Sequence, residues 1–273
     1  MPELPEVETV VRGLRGPLIG HTALEAWSDW PKTVRGLSNE AFTDRVRGQT
    51  FRAITRRAKY ILCHLDHDLL VVHLKMTGRL YVTPDEAAHH ADRWMHFRLQ
   101  LDGGEQLRFS DARKFGFVAL AAHFDELDPG LGPEPLEDEF TVPDFAARLA
   151  KRSAPIKAIL LDQTVVAGVG NIYADEALFR ARIHPLRPAK SLRFDEIAAL
   201  HDTIRVVLAA GIEEEGASVN WYRKPDGTTG NAQSYFAVYD REGQPCVVCG
   251  TPIEKIRVAQ RGTHFCPNCQ RRS

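Results

Sequence analysis

Apolar residues near the start of the chain recur at helical spacing. Val7, Val10, Val11, Leu14 and Leu18 fall on one face, and Pro5 suits a first helical turn, where its missing N–H has no partner to lose. The pattern predicts a helix over 5–18. From about His21 to Leu120 the period shortens to two. Thr50–Arg56 alternates apolar and polar residues, and Tyr60–Leu62 and Leu69–Val72 are short apolar runs. Phe97–Leu101 and Gln106–Phe109 flank the turn Asp102-Gly103-Gly104-Glu105 as a hairpin. So many short strands predict an antiparallel sandwich.

The segment Asp125–Pro143 breaks this pattern. It is acidic and holds Pro129, Gly130, Gly132, Pro133 and Pro135, the composition of a linker. Helical spacing returns at about 143–152, 155–163, 173–181 and 194–215, and four of the five cysteines lie in the last 28 residues. The reading is an α+β chain in three parts: a helix and β-sandwich over 1–130, a helical part over 131–240, and a cysteine finger over 241–273. No apolar run approaches the ~18 residues of a membrane span. The acidic, proline-rich start lacks the basic and apolar stretches of a secretory signal, so a cytoplasmic protein is expected.

Charge adds a partner class. The net charge of −1 argues against a polyanion, but its distribution does not. Arg45–Arg79 holds eight Lys or Arg against two Asp, Ala121–Ala147 holds eight Asp or Glu and no Lys or Arg, and Ser218–Ser273 holds eight basic residues against four acidic. Two basic regions divided by an acidic linker suit a cleft for nucleic acid, although ordinary surface mixing gives the same counts.

Cys246-Val247-Val248-Cys249 and Cys266-Pro267-Asn268-Cys269 are two C-x2-C knuckles separated by sixteen residues. That spacing predicts one tetrahedral Zn2+ held by four thiolates. Four cysteines leave no open coordination position, so the metal is structural. Disulfides are disfavoured in a chain without a secretory signal. Lys255, Arg257 and Arg261 make the finger basic, and the isolated Cys63 reads as a core thiol.

The start of the chain carries a second chemistry. Once Met1 is removed, Pro2 presents a secondary amine with a pKa of about 7.7–8.0, against about 10.4 for lysine. Part of it is unprotonated at neutral pH and able to attack carbon, and Glu3 and Glu6 stand beside it to manage protons. The same residues also read simply as a helix start, because acidic groups favour a first turn.

Six ordered segments carry a resemblance that covers nearly the whole chain: Pro2–Val10, Arg57–Tyr60, His73–Gly78, Asp111–Gly116, Gly168–Glu176 and Gln260–Pro267. Together they resemble the bacterial formamidopyrimidine-DNA glycosylases, also called 8-oxoguanine-DNA glycosylases. The resemblance implies an N-terminal β-sandwich, a helix–two-turn–helix DNA-binding part and a zinc β-hairpin. It also implies a monomer that excises oxidised purines from damaged duplex DNA on the bacterial nucleoid. In that family the proline amine attacks C1′ and expels the base, and the Schiff base drives β- and δ-elimination.

Carried over residue by residue, Pro2 is the nucleophile, Glu3 protonates the sugar ring oxygen, and Glu6 supports the site electrostatically. Lys59 contacts a phosphate beside the lesion, and Arg261 grips phosphate from the zinc hairpin. Met76, Arg113 and Phe115 fill the gap left by the everted nucleotide, as an apolar wedge and a guanidinium can. His73, Asn171 and Tyr173 contact the backbone. Glycines before a helix start also expose N–H groups suited to phosphate, which fits Gly168 and Gly170. The active form is expected to begin at Pro2. Gly216–Gly230 lies where the family has a loop over the everted base, but Val219-Asn220-Trp221 departs from its usual text and leaves fine preference open. Two alternatives stand: an endonuclease VIII-type glycosylase for oxidised pyrimidines, which usually has glycine at the Leu4 position, and a zinc-ribbon DNA-binding protein without catalysis.

Overall fold

The computed structural model describes residues 1–84, 92–219 and 221–272; Asn220 of the expected loop lies outside them. The chain divides into two compact units, Met1–Gly130 with Glu215–Asn231, and Leu131–Glu214 with Ala232–Ser273. The sequence reading gave 215–231 to the helical part. Those residues instead return to the first unit, because the Ala217 N–H donates to Glu6 Oε1 (2.8 Å) and Tyr222 joins the first core.

The first unit opens with helix α1 (Leu4–Leu18), followed by β1 (Ala23–Ser28), β2 (Val34–Arg35) and α2 (Asn39–Val46). Strands β3 (Ala53–Arg57), β4 (Tyr60–His64), β5 (Leu69–His73), β6 (Gly78–Pro84), β7 (Met95–Leu101), β8 (Glu105–Asp111) and β9 (Phe117–Ala121) complete it. They form sheets ordered β1-β7-β8-β6 and β2-β9-β5-β4-β3, antiparallel except for β2 beside β9. One core draws Phe97, Leu99 and Leu107 from the first sheet, Ile61, Val72 and Val118 from the second, and the expected apolar face of α1. Each such side chain contributes about 1.5–3 kcal/mol, so burial rather than propensity holds α1. Cys63 is a core thiol, its pKa pushed up to about 12 by burial.

The second unit holds α3 (Val142–Leu149), α4 (Ile156–Leu160), α5 (Asn171–Arg180), α6 (Phe194–Glu213) and the hairpin of β10 (Glu254–Val258) with β11 (Arg261–Phe265). Thr141 caps α3 by accepting from the Asp144 N–H at 3.3 Å. Phe145, Leu149, Leu160, Leu178 and Ile204 are buried among these helices, and β11 packs on α5.

Candidate active site and nucleic-acid interface

The start of α1 is interior. Pro2 is buried, and Glu3 and Glu6 are 2% and 1% exposed. Glu6 reaches back one turn, and its Oε2 accepts the Glu3 N–H at 2.7 Å, half of a capping box. Its Oε1 accepts the Ala217 N–H. Glu6 therefore bridges the helix start to the returning loop. Two fixed N–H donors hold its carboxylate in one orientation and suit it to positioning.

The turn between β3 and β4 is Ala58-Lys59, with Ala58 at φ +51°. Helix α1 runs antiparallel alongside β3. Arg15 Nε donates to the Ile54 carbonyl (3.2 Å), and Arg56 pairs with Glu8 (3.3 Å). Moving toward the N-terminus of α1 thus moves toward the turn, which brings the buried Lys59 toward Pro2 and Glu3. His73, at the end of β5, stacks on Phe117 with ring centroids 5.8 Å apart. Burial first, then the charges of Lys75, Lys59 and Arg35, hold its pKa down at about 3. Its Nδ1 accepts the Lys75 N–H (2.9 Å), so the ring is neutral with its proton on Nε2, facing no competing positive charge of its own. Arg35, Lys59 and Lys75 around it form a basic cluster.

Asp111 organises the segments that carry the expected wedge residues. Its Oδ2 accepts the N–H groups of Phe115 (2.8 Å) and Gly116 (2.7 Å). Its Oδ1 accepts the Thr77 hydroxyl and the Arg113 N–H (3.2 Å). One buried carboxylate thereby joins the 73–78 and 111–116 segments. A Cβ at Gly116 would lie 2.4 Å from Phe109 Cζ, and one at Gly78 would lie 2.3 Å from the Leu74 carbonyl oxygen, so both positions need glycine. The result brings the predicted trio together. Arg113 Nη1 lies 3.1 Å from Met76 Sδ, its guanidinium carbon is 4.7 Å from the Phe115 ring centre, and Phe115 is 53% exposed. An aromatic ring left that open is no core residue.

In the second unit, Asn171 begins α5 and its Nδ2 donates to the Gly262 carbonyl (2.9 Å), beside exposed Arg261. Ala259 and Gln260 both have positive φ and turn the hairpin just before Arg261. Asp175 accepts the His264 N–H (2.9 Å) and pairs with fully buried Lys157 (2.5 Å). The buried Glu176 carboxylate takes the N–H groups of Ala237, Val238 and Tyr239, at 2.9, 3.0 and 2.9 Å. Helix α5 thus fixes the zinc hairpin and sets Asn171 and Arg261 side by side. Two expectations change here. The Gly168 N–H is not open to phosphate, because Gln163 Oε1 accepts it at 2.9 Å. Tyr173 is 2% exposed and packs where a Cβ at Gly211 would lie 2.6 Å from its hydroxyl.

The four finger sulfurs lie within 4.8 Å of one another, with Cys246–Cys269 at 3.9 Å and Cys249–Cys266 and Cys249–Cys269 at 3.5 Å. A tetrahedron of Zn–S bonds of about 2.3 Å has edges of about 3.8 Å, so the set fits zinc. The Val248 and Cys269 N–H groups each point at a cysteine sulfur at 3.4 Å, which suits thiolate charge. Sequence reasoning passed over Asp111, Asp175 and Glu176 as site residues although each lies inside a quoted motif. For Asp175 and Glu176 the signal was charge within a mostly apolar helical segment, and Asp111 had none.

The formamidopyrimidine-DNA glycosylase N-terminal domain model matches residues 1–118, the H2TH domain model of the same glycosylase 131–222, and a zinc finger found in FPG and IleRS 243–272. A formamidopyrimidine-DNA glycosylase of Herpetosiphon aurantiacus is 50% identical, covering 99% of this chain and 100% of its own. One from Streptococcus pneumoniae is 44% identical over 100% of both. Among solved structures, a Lactococcus lactis FPG mutant bound to Fapy-dG-containing DNA superposes with TM-score 0.92 at 36% identity, covering 99% of this chain and 100% of that one. The MutM (FPG) protein of Thermus thermophilus gives 0.89 at 42%, covering 98% of each. The four cysteines are the ligands of one structural zinc.

Proposed function

Because the chain belongs to the formamidopyrimidine-DNA glycosylase family, we propose that it removes oxidised purines from duplex DNA and then cuts the strand, with the Pro2 amine as nucleophile. It is a DNA glycosylase of base-excision repair. The observation that carries the catalytic assignment is the Glu6 bridge, which fixes the Glu3 backbone and the loop at 217 beside a buried Pro2.

With Met1 attached, the Pro2 nitrogen is an amide and has no lone pair to give. Removal of Met1 frees a secondary amine. The amine attacks C1′, the bond to the base breaks, and Glu3 protonates the ring oxygen as the sugar opens to an iminium. A secondary amine yields a cationic iminium, which acidifies the C2′ proton and drives β- and then δ-elimination. Lys59 and His73 hold backbone phosphates on the first unit, and Asn171 and Arg261 do so on the second, while Tyr173 is buried behind them. Met76, Arg113 and Phe115 support the stack opened by the everted nucleotide. Zinc holds the hairpin that carries Arg261 and supplies no bond-making step.

We assign catalysis to 1–130, DNA grip to 131–240 and the zinc finger to 241–273, with 215–231 returning to the catalytic part. The protein acts as a monomer in the cytoplasm, on nucleoid DNA. Relatives crystallised on formamidopyrimidine and abasic-site DNA support a damaged duplex as partner. The test compares release of 8-oxoguanine and thymine glycol from matched duplexes. Faster release of 8-oxoguanine is expected; preference for thymine glycol would move the chain to the pyrimidine class.

A further inference from the structure

Resting on that reading, we propose that Trp221 is the side chain on which the extruded purine base stacks, and that it sets preference for large bases. The loop that carries it is anchored at several points. Ala217 hangs on Glu6, and Gly216, at φ +79°, is so close that a Cβ there would lie 3.0 Å from Glu6 Cγ and 3.1 Å from Tyr222 Cε1. The loop ends meet: Gly230 N–H donates to Ser218 Oγ (2.9 Å), and a Cβ at Gly230 would lie 2.2 Å from the Gly216 carbonyl oxygen. Tyr222 is buried in the first core, Lys224 pairs with Glu215 at 2.6 Å, and Arg79 donates to the Pro225 carbonyl at 3.3 Å.

Trp221 follows the opposite course from its neighbour. Tyr222 turns inward beside Glu6, and Trp221 is left 60% exposed. A tryptophan carries one of the largest apolar surfaces of any side chain, and leaving it in water on an anchored loop forgoes that burial. Each of the other three tryptophans has a cation near its ring, although Trp27 is also 38% exposed: Arg98 lies 5.3 Å from the Trp27 ring centre, Arg93 4.5 Å from Trp94, and Lys114 4.5 Å from Trp30. Among the described residues no cation is found over Trp221, so its face is open to a flat ligand. A base turned out of a duplex is such a ligand, and it has lost its own stacking neighbours. Phe115, exposed in the same unit, is held in the Asp111 frame with Arg113 and belongs to the wedge. Trp221 is the exposed aromatic whose loop is tied to Glu6.

The test uses the full-length, zinc-loaded protein and duplexes containing either 8-oxoguanine or a natural abasic site, which has no base to stack. The ratio of 8-oxoguanine excision to abasic-site cutting falls about tenfold in Trp221→Ala and stays within about threefold in Trp221→Phe, which keeps an aromatic face. Tryptophan emission in a Pro2→Gly background is quenched by the 8-oxoguanine duplex and not by the abasic one, and the quench disappears when Trp221→Phe is added. An unchanged ratio overturns the proposal. So does an equal loss on both substrates in a Trp221→Ala protein with wild-type zinc content and melting temperature. Failure of the wild-type protein to release 8-oxoguanine at all would remove the purine reading itself.

Discussion

Replacing Asp111 by Asn keeps the size of the side chain and removes its charge. The amide NH2 is driven to the Oδ1 position, where the Thr77 hydroxyl can turn round and accept it. The Arg113 N–H then loses its carboxylate acceptor at 3.2 Å and keeps only the Thr77 hydroxyl oxygen, also at 3.2 Å, and Phe115 and Gly116 keep only a neutral acceptor. A hydrogen bond to a charged group contributes about 1.5–3 kcal/mol against about 0.5–1.5 for a neutral pair. Loss of charge assistance at two bonds, with one weakened further, amounts to about 3 kcal/mol. At ~1.4 kcal/mol per factor of ten, amide protection over 113–116 falls about 100-fold. Native-state hydrogen exchange read by mass spectrometry on peptides covering that loop measures this directly. Excision should fall with it, because Arg113 and Phe115 lose their frame. Protection within threefold of wild type would refute the assignment of Asp111 as the organiser of the wedge.

Burial depresses the His73 pKa from the ordinary histidine value to about 3, so the unfolded chain binds a proton that the folded one refuses between about pH 6.5 and 3. Its contribution is therefore complete above pH 6.5 and is lost as pH falls toward 3, by up to about 1.4 kcal/mol per pH unit. His73→Gln should flatten the acid limb of a urea-midpoint profile, and an unaltered limb would contradict a neutral His73. Removing zinc with a chelator should unfold 246–269 and release Arg261 from its place beside Asn171. Salt-dependent duplex affinity should drop while the secondary structure of residues 1–121 persists, as circular dichroism and filter binding would show. Lys157→Met leaves Asp175 charged and buried without its partner and should cost about 3–5 kcal/mol in the second unit, read by thermal melting.

The elements that depend on local pattern were legible in the sequence. Helix α1 runs over 4–18 where apolar spacing put it at 5–18, and the 97–109 hairpin appears as β7 and β8. The cysteine spacing gave the metal site because two knuckles encode their own geometry. Strand β3 starts at Ala53 rather than Thr50 because the preceding residues are drawn elsewhere: Thr50 N–H donates to Asp66, and Phe51 receives Gly20. What could not be read depends on partners far along the chain. The Glu6–Ala217 bond spans 211 residues, and together with Tyr222 in the first core it explains why the loop after α6 leaves the helical unit. Asp111 and Glu176 read as ordinary acids because backbone N–H donors leave no mark in a sequence. Ala58, Lys75 and Lys114 adopt positive φ without being glycine, so the left-handed positions in the turns at 58–59, 74–77 and 112–115 carried no glycine or asparagine to signal them.

The central claim is that the nitrogen of Pro2 forms the covalent bond to DNA. Sodium borohydride should trap the protein on an 8-oxoguanine duplex as a stable adduct. Mass spectrometry of the digested adduct should place the sugar on a peptide that begins at Pro2, with Met1 absent. Pro2→Gly should lose most of the adduct. An adduct mapped to Lys59 or any other lysine, or equally strong trapping by protein shown to retain Met1, would contradict the account.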